Sequence, residues 1–430
     1  MRIVQITPGT GDNFYCENCV RDIALAAALR KLGHDALMVP LYLPVQRDGR
    51  EAVVTAPIFF GGVNVYLQQK SAFFRKTPRW LDGLFDSPRL LGWISRKAGM
   101  TSAKNLGEMT VSMLRGVQGQ QVKELHRLVE WLDARDNRPD VVCLSNILLV
   151  GLASHIKEKL KVPVACLLQD EDGFLDGLNS PYSKQAWQIV TQRAGDIDAF
   201  IAVSKYFADV MRARLRVSAD RMHVVYPGIP LAGYEPREAA PETPAIGYLS
   251  RMCYDRGLDT LVDAFVILKK NEKLTNVKLR IGGGETGNDE PFMNGIRKRL
   301  VSCGLMDDVE FLPDFDRDSK LAFFQTLSLL SVPEKQPVAY GIYVLEALAA
   351  GVPVVEPATG AFGELLEMTG GGVLFEPNSA VALAAAIEPL LLDPAYAQEL
   401  GKKGRKAVFE KFDVEQTARE LVRIYEGITQ

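Results

Sequence analysis

The chain has 430 residues and a formal net charge of −3, with 47% hydrophobic and 24% charged residues. This composition is typical of a globular protein, and the weak net charge gives no reason to expect a nucleic-acid partner. Because one hydrophobic core stops growing at about 250–300 residues, the length predicts two domains. Six scattered cysteines, an opening strand without a signal-peptide pattern and the lack of a ~20-residue apolar run predict a cytoplasmic protein.

The first half alternates short apolar runs with helical patterns, which predicts an α/β domain with a parallel sheet. It opens with strand Arg2–Thr7, a loop containing Gly9 and Gly11, helix Cys19–Leu32 and strand Ala36–Pro40. The two glycines either let a backbone approach a ligand or form a plain tight turn, and the loop lacks a full GxGxxG fingerprint. Further strands are predicted at residues 53–58, 63–68, 141–144, 162–168, 199–203 and 224–226.

A CxxC pair, Cys16 and Cys19, lies at the start of the first helix, where a thiolate would be stabilised. A structural zinc site needs a second pair at similar spacing, and the other four cysteines stand alone in the sequence. We therefore expect neither a metal site nor redox chemistry.

Residues 70–104 form a basic and aromatic segment. Such a segment can lie on an anionic membrane or bind an anionic acceptor. It can equally form helices whose aromatic residues are buried and whose charges are solvated. The apolar positions are too widely spread for one clean stripe, which favours the second interpretation and leaves peripheral membrane contact as an alternative.

A cluster of carboxylates follows the predicted strand 162–168. Residues Gln169 to Gly173 read QDEDG, so Asp170 and Glu171 come directly after the strand. Ligands of open α/β sheets bind beyond the carboxyl ends of the strands. This cluster is therefore a candidate binding site.

The segment from Pro227 to Pro244 is rich in Pro, Gly, Glu and Ala and is the best candidate for a linker. Beyond it a second alternating series begins, and its length matches a second domain. Two halves of this kind predict two Rossmann-like domains that face each other across a cleft, with the last helix packed back on the first. The second series predicts strands at residues 245–249, 277–281, 309–312, 327–332, 352–355 and 373–375.

Two arginines lie close together at the start of the second series. Arg251 follows the strand that ends at Leu249, and Arg256 immediately precedes an amphipathic helix. Guanidinium groups so placed can converge on one diphosphate, because arginine makes bidentate contacts to phosphate. Two later strands also end in loops suited to a ligand, at Gly282–Gly284 and at Asp314–Phe315. One such loop is more typical of a turn, but several in one sheet favour a ligand site.

Residues 336–355, QPVAYGIYVLEALAAGVPVV, predict a loop, a helix, a turn and a buried strand. The amides of Gly341, Ile342 and Tyr343 would then point out of a helix N-terminus, where an anion is favoured. Glu346 lies about one turn further on, and a carboxylate there suits the hydroxyls of a ribose. The alternative is an amphipathic surface helix with an exposed glutamate.

The order of these segments resembles glycosyltransferase family 4, whose members have the GT-B fold, over nearly the whole chain. The similarity lies in the glycine loop, a strand followed by a histidine segment in the first domain, an Arg…Lys-Gly pair in which Arg256 stands where most members have lysine, and a Glu-x7-Glu signature whose second glutamate matches Glu346. The resemblance implies roles for several positions: diphosphate binding by Arg251, Arg256 and the amides of Gly341, Ile342 and Tyr343; ribose binding by Glu346; base binding at Asp314 and Phe315; a glycine loop at Gly9 and Gly11; and catalysis by Asp170 and Glu364.

The chain departs from the family pattern at two positions. Val338 stands where the first glutamate of the signature is expected, and Gln169 stands where the family has histidine. Valine neither accepts hydrogen bonds nor carries charge, so contacts to the donor sugar are expected from other acids. The candidates are Glu364, Asp170, Glu171 and Glu334.

The resemblance implies a retaining glycosyltransferase that moves a sugar from a nucleotide-sugar, with a UDP-sugar favoured, to a sugar, lipid or small-molecule acceptor. It implies no cofactor and no metal. The predicted domains are residues 1–232, on the acceptor side, and residues 233–412, which bind the donor, with helix 413–430 packed back on the first. The alternative, suggested by Val338 and Gln169, is a nucleotide-sugar-binding protein of the same fold without turnover.

Overall fold

A computed structural model describes residues 1–9, 17–42, 59–60, 103–236, 241–312 and 316–430, and gives only the backbone at 103–106. The predicted strands 53–58 and 63–68, the basic segment as far as residue 102, and Gly11, Cys16, Asp314 and Phe315 lie outside the described residues. The chain divides into two compact units. The first comprises Met1–Gly11, Asp22–Tyr226 and Thr417–Gln430, and the second comprises Asp12–Arg21 and Pro227–Gln416.

The first unit is built on a parallel six-stranded sheet in the order β2-β1-β3-β4-β5-β6. Its strands are β1 (Arg2–Thr7), β2 (Asp35–Pro40), β3 (Val141–Leu144), β4 (Val164–Leu168), β5 (Ala199–Ala202) and β6 (Met222–Val224). Its helices are α1 (Glu17–Lys31), whose residues up to Arg21 belong to the second unit, α2 (Ala103–Leu114), α3 (Val122–Asp133), α4 (Ala153–Leu160), α5 (Glu171–Asp176), α6 (Tyr182–Arg193) and α7 (Lys205–Leu215).

The central strands of this sheet are buried along their whole length. Every residue of β3, β4 and β5 is buried, as expected for strands covered by helices on both faces. Ser204 caps the helix after β5 as predicted, because its side chain accepts a hydrogen bond from the amide of Phe207 at 3.1 Å. Strand composition and helix capping therefore agree along this part of the chain.

The second unit carries another parallel six-stranded sheet, in the order β12-β11-β10-β7-β8-β9. Its strands are β7 (Ala245–Leu249), β8 (Lys278–Gly282), β9 (Val309–Leu312), β10 (Leu329–Leu330), β11 (Val354–Pro357) and β12 (Gly372–Phe375). Its helices are α8 (Leu258–Leu268), α9 (Glu290–Ser302), α10 (Arg317–Gln325), α11 (Ile342–Ala349), α12 (Phe362–Thr369), α13 (Ala380–Leu392) and α14 (Pro394–Lys411); the last helix, α15 (Val414–Thr429), begins in this unit and ends in the first.

The sequence prediction of an α/β protein with two Rossmann-like sheets is confirmed, and one strand is shorter than expected. Residues 327–332 form a strand only at Leu329–Leu330. The amide of Leu327 still bonds to the preceding helix, and that of Val332 bonds to the carboxyl group of Glu356 instead of a neighbouring strand. Polar contacts at both ends therefore shorten β10.

In each sheet, parallel strands deliver their carboxyl ends to one edge, where ligands of such folds bind. In the second unit, the segments after β7, β8 and β10 all begin there. Among the described residues, no single helix is long and apolar enough to cross a membrane; α13 and α14 meet that test only together, as a pair bent by 100°.

Candidate functional site

Arg251 follows β7 and is held by the loop that follows β8. Its Nε and Nη2 atoms each lie 2.8 Å from a carboxylate oxygen of Asp289, and Nη2 also donates to the Thr286 hydroxyl. Burial acts to raise the pKa of Asp289, but the hydrogen bonds from Arg251 and Thr286 outweigh it and lower that pKa. The ion pair therefore fixes the guanidinium at the edge of the sheet.

Arg256 lies at the end of the same loop and reaches the loop after β10. Its Nη1 atom is 2.5 Å from Oε1 of Glu334, whose side chain is only 3% exposed. Gly257 permits this approach: its φ is +67°, and a Cβ atom there would overlap the carbonyl oxygen of Pro333. Only glycine fits both demands, because other residues rarely adopt this backbone conformation.

Lys335 fastens the two loops together. Its amide donates to the carbonyl of Asp255 at 3.0 Å, and its Nζ atom lies 3.1 Å from Asp259 and 3.0 Å from the Thr260 hydroxyl. The ammonium group also lies 4.5 Å from the ring centroid of Tyr254. These contacts keep the Arg256–Glu334 pair in a preformed junction.

The predicted phosphate-binding amides lie at the start of α11. Gly341 precedes the helix, and Ile342 and Tyr343 form its first turn. The amide of Ile342 donates a 2.6 Å hydrogen bond to Oε2 of Glu17, a residue of the same compact unit. A carboxylate therefore occupies the position at which the sequence predicts a phosphate, as the positive end of a helix favours.

Glu346 is buried beneath this turn. Its Oε1 atom lies 2.5 Å from Nζ of Lys320 and accepts a 3.2 Å hydrogen bond from the Tyr234 hydroxyl. With the residue only 4% exposed, the alternative of an exposed glutamate on a surface helix is wrong. Burial raises the pKa of the Tyr234 hydroxyl well above its usual range, and the charge of Glu346 adds to that shift.

A cavity of about 400 Å³ opens at the ends of β7, β8 and β9. Leu249, Gly282 and Leu312, the last residues of these strands, line it, together with Lys320 and Phe323 of α10. The predicted base-binding residues, Asp314 and Phe315, come two and three positions after Leu312 in the sequence but lie outside the described residues. Lys320 therefore connects the cavity to Glu346.

The loop before α12 packs on the backbone of Val338. Gly360 has a φ of +57°, and a Cβ atom there would clash with the amide and the carbonyl of Val338; the amide of Ala361 donates to that same carbonyl at 3.0 Å. Glu364 lies in the first turn of α12 and is half-buried. The Val338 side chain is 6% exposed, so this position is apolar and enclosed.

A second buried acid, Glu356, lies near Glu334, the acid that pairs with Arg256. Its Oε1 atom accepts a 3.3 Å hydrogen bond from the amide of Val332, whereas its Oε2 atom and the Tyr343 hydroxyl have no hydrogen-bond partner among the described residues. Burial raises the pKa of Glu356 well above its usual range, and the charges of Glu334 and Glu17 add to that shift. Burial and the neighbouring acids therefore both disfavour the charged form of Glu356.

The acidic cluster of the first unit separates into exposed and buried residues. Asp170 is exposed and has a φ of +54°. Glu171 is 4% exposed and accepts hydrogen bonds from the amides of Gln169 at 2.6 Å and Ile147 at 3.3 Å. Burial raises the pKa of Glu171 to about 8. Glu171 therefore joins the loops after β3 and β4, which leaves Asp170 as the accessible candidate.

The first glycine loop is only partly described. Gly9 is buried, and its φ of +75° matches the tight backbone expected after β1. Among the described residues, no group of three or more His, Cys, Asp or Glu side chains is arranged to hold a metal ion.

Several residues of the site escaped prediction from the sequence: Glu17, Asp289, Lys320 and Glu356. Each meets its partner across a long stretch of chain; Glu17 and Ile342, for example, are 325 positions apart. No spacing rule relates residues so distant, and only the position of Asp289 just before a helix gave any local signal.

Comparison with protein families decides which family is present. A model described as Glycosyltransferase Family 4 matches residues 111–232, and one described as Glycosyl transferases group 1 matches residues 235–407. The chain belongs to glycosyltransferase family 4. The resemblance stated from the sequence is thereby confirmed.

Curated relatives of this family 4 chain act on different substrates. A D-inositol 3-phosphate glycosyltransferase of Jonesia denitrificans is 25% identical over 56% of this chain and 58% of the relative. A GDP-mannose-dependent α-(1-6)-phosphatidylinositol monomannoside mannosyltransferase of Mycobacterium tuberculosis is 27% identical over 55% of this chain and 64% of the relative. The chain thus spans less than two thirds of the length of either relative.

Solved structures resemble the family 4 chain over nearly its full length. Sucrose-phosphate synthase from Thermosynechococcus elongatus superposes with a TM-score of 0.71 at 19% identity, covering 99% of this chain and 98% of that one. Anabaena Alr3699/HepE in complex with UDP-glucose gives a TM-score of 0.68 at 16% identity, covering 99% and 100%. The fold is GT-B.

Proposed function

We propose that the protein is a retaining glycosyltransferase that moves a sugar from a nucleotide-diphosphate sugar to an acceptor. The observation that carries the proposal is that Arg251, Arg256 and the first turn of α11 all lie beyond strand ends of the second sheet. Guanidinium groups and helix N-terminal amides are the groups that bind diphosphates. The names of the two relatives reported above, a glycosyltransferase and a mannosyltransferase, support the same class.

The nucleoside is assigned to the cavity beside Lys320. A cavity of about 400 Å³ is large enough for a base, and Glu346 at its margin supplies a carboxylate for ribose hydroxyls. Lys320 neutralises Glu346 and orients it, because the two groups form a buried ion pair. We favour a UDP-sugar, although one relative is named for GDP-mannose, so the base is part of the test below.

Charge stabilisation is the main catalytic contribution in this proposal. As the glycosidic bond to the diphosphate breaks, negative charge builds up on the leaving phosphate. Arg251 and Arg256 are already held beyond the strand ends to stabilise that charge, and the Ile342 amide joins them once Glu17 is displaced. The leaving phosphate itself accepts the proton of the acceptor on the same face of the sugar, which gives retention at the anomeric carbon.

The missing signature glutamate requires other acids to hold the donor sugar. Val338 is buried and apolar, whereas Glu364 is half-buried in the first turn of α12 and Asp170 is exposed beyond β4. We assign Glu364 and Asp170 as the acidic residues that contact the sugar or the acceptor. The acceptor is a sugar, a lipid or a small molecule, and the relative named for phosphatidylinositol monomannoside makes a lipid-linked glycan worth testing.

A donor panel tests the proposal. UDP-, GDP- and ADP-linked hexoses are incubated with and without sugar, inositol phosphate and lipid-linked acceptors, and release of nucleoside diphosphate is measured. Acceptor-dependent release and an unchanged anomeric configuration, assigned by NMR of the product, support a retaining transferase. Inverted product would overturn the retaining assignment.

A second candidate is a nucleotide-sugar-binding protein without turnover, because Val338 and Gln169 replace two side chains that the family pattern expects. This candidate predicts donor binding by calorimetry with no release of nucleoside diphosphate for any acceptor. The same panel therefore separates the two functions.

A further inference from the structure

The Arg256–Glu334 pair lies where two loops of the second unit meet, and each loop supplies one member of the pair. The loop after β7 and the loop after β10 meet at Gly257 and Pro333 and are tied by the amide of Lys335. Glu334 is enclosed there, with its carboxylate 2.5 Å from the guanidinium of Arg256. The carboxylate therefore determines the direction in which Arg256 points.

A guanidinium group carries five N–H donors in a planar fork. One edge of Arg256 can hold Glu334 while another contacts a phosphate, so the pairing does not block the ligand. It restricts the rotamers of a long side chain before the ligand arrives, which lowers the entropy cost of binding.

Glu334 has a second carboxyl group as its neighbour. The backbone of Val332 links the two: its carbonyl accepts from the amide of Glu334 at 2.8 Å, and its amide donates to Glu356. Glu356 is fully buried, and its Oε2 atom has no partner among the described residues. We call Glu334 and Glu356 the acid pair.

A bound diphosphate changes the electrostatics of the acid pair in one direction. It brings two or three negative charges to Arg256 and draws on the positive charge that stabilises ionised Glu334. Like charges in a poorly solvated site disfavour ionisation, so a carboxylate there binds a proton.

We propose that Glu334 is a positioning residue that aims Arg256 at the donor diphosphate, and that diphosphate binding is accompanied by proton uptake at the acid pair. This inference rests on the proposed function, because it requires Arg256 to contact the diphosphate. It goes further by assigning a role to two acids that the signature of the family does not include.

Other titratable and charged groups face the acid pair from each surrounding element. Their charges and dipoles contribute to the electrostatic potential at the acid pair, and so to its proton affinity. They are Tyr248 of β7, Arg256 of the following loop, Lys335 beside Glu334, Tyr343 of α11 and Glu17 of α1; Cys253 and Asp259 lie next to Tyr248.

Calorimetry of UDP, GDP and ADP binding near pH 7, repeated in buffers of different ionisation enthalpy, measures the protons taken up. The variants are Glu334→Gln, Glu334→Ala and Glu356→Gln. Asp263→Asn is the matched control, because Asp263 pairs with Arg299 at 2.7 Å in the same unit. The nucleotide's own proton exchange cancels when a variant is compared with the wild type.

The proposal expects wild type and Asp263→Asn to take up more protons than Glu334→Gln and Glu356→Gln. Glu334→Gln should keep nearly wild-type affinity, because the amide oxygen can still accept from Arg256. Glu334→Ala should bind about tenfold more weakly, the effect of one charge-assisted hydrogen bond. Circular dichroism confirms that each variant is folded.

Equal proton uptake in wild type, Glu334→Gln and Glu356→Gln would overturn the coupling, and wild-type affinity in folded Glu334→Ala would overturn the positioning role. Either result leaves the proposed function intact, since the wild type still binds nucleotide. A wild type that binds none of the three nucleotides overturns the proposed function and this inference with it.

Discussion

The carboxylate of Glu17 accepts a 2.6 Å hydrogen bond from the amide of Ile342, the first residue of α11. It therefore lies where a donor phosphate is expected to bind. A phosphate and a carboxylate cannot both take this amide, because each needs the same N–H group. Under the proposed function, Glu17 is thus an internal competitor of the donor.

We expect Glu17→Gln to bind nucleoside diphosphate more tightly than the wild type. Interactions of an anion with a helix N-terminus contribute about 0.3–2 kcal/mol, which corresponds to an increase of about two- to thirtyfold. Titration calorimetry with the nucleotide that the wild type prefers is the measurement. Glu376→Gln, which alters an exposed carboxylate of the same unit, serves as control. Unchanged affinity in Glu17→Gln would show that Glu17 does not compete.

Arg256→Ala should weaken nucleotide binding by about ten- to a hundredfold, because a hydrogen bond to a charged group contributes about 1.5–3 kcal/mol. It should also lower the free energy of unfolding, since Glu334 is left as a buried carboxylate without this partner. The double variant Arg256→Ala/Glu334→Gln separates the two effects.

In that double variant, stability should return towards the wild-type value while affinity stays low. Urea unfolding and calorimetry on the same samples provide both numbers. If affinity recovered together with stability, Arg256 would have no direct contact with the diphosphate.

Turnover should depend on Glu364 more than on position 338. We expect Glu364→Ala to lower kcat, because it removes an acid assigned to the donor sugar. Val338→Glu should change kcat less, since the protein groups that bind the diphosphate supply most of the stabilisation of the transition state. Its main effect should be on stability, because the enclosed site would receive an unpaired carboxylate.

Steady-state kinetics on one working donor and acceptor compares the three proteins, with unfolding curves to correct for the active fraction. A wild type that is inert toward every donor it binds, together with activity in Val338→Glu, would favour the binding protein without turnover.

Glu171 should make the first unit less stable as the pH rises. Its pKa is about 8 in the folded protein against 4.5 ordinarily, so the folded state prefers the neutral acid. The stabilisation is fully present below about pH 4.5 and is lost as the pH rises to about 8. At 1.36 kcal/mol per unit of pKa shift, the loss is on the order of 3–5 kcal/mol.

Denaturant unfolding at pH 5, 6, 7 and 8 tests this effect. Glu171→Gln should flatten the pH dependence relative to the wild type, because glutamine does not ionise. Glu108→Gln, at an exposed position on α2, should leave the pH dependence unchanged. Parallel curves for wild type and Glu171→Gln would mean that another group causes the pH dependence.

The sheets could be predicted from the sequence because each buried parallel strand is a short apolar run that can be recognised without its neighbours. Runs such as VACLL in β4 are apolar throughout and end at polar loops. The same locality identified Arg251, Arg256 and the start of α11, since each adjoins a strand or helix end. Strand β10 was overestimated because the apolar pattern does not reveal that Val332 bonds to a side chain.

The partners of these residues could not be predicted. Arg256 finds Glu334 across 78 positions, and Arg251 finds Asp289 across 38. Similarly, QDEDG gave three equivalent carboxylates, yet Glu171 turns inward because two amides at the ends of β3 and β4 need an acceptor. Burial of this kind depends on tertiary packing, which one sequence does not display.

The contact of Gly257 with the Pro333 carbonyl has a consequence for how a ligand changes the stability of the protein. Gly257 and Pro333 follow the paired strands β7 and β10, so the junction that holds Arg256 and Glu334 needs the folded sheet and cannot exist in a fragment that stops before β10. A nucleotide that binds this junction therefore binds the native state alone. At a concentration one hundred times its Kd, it should stabilise the protein by about 2.7 kcal/mol. Nucleotide preference can thus be ranked by melting temperature before any acceptor is known.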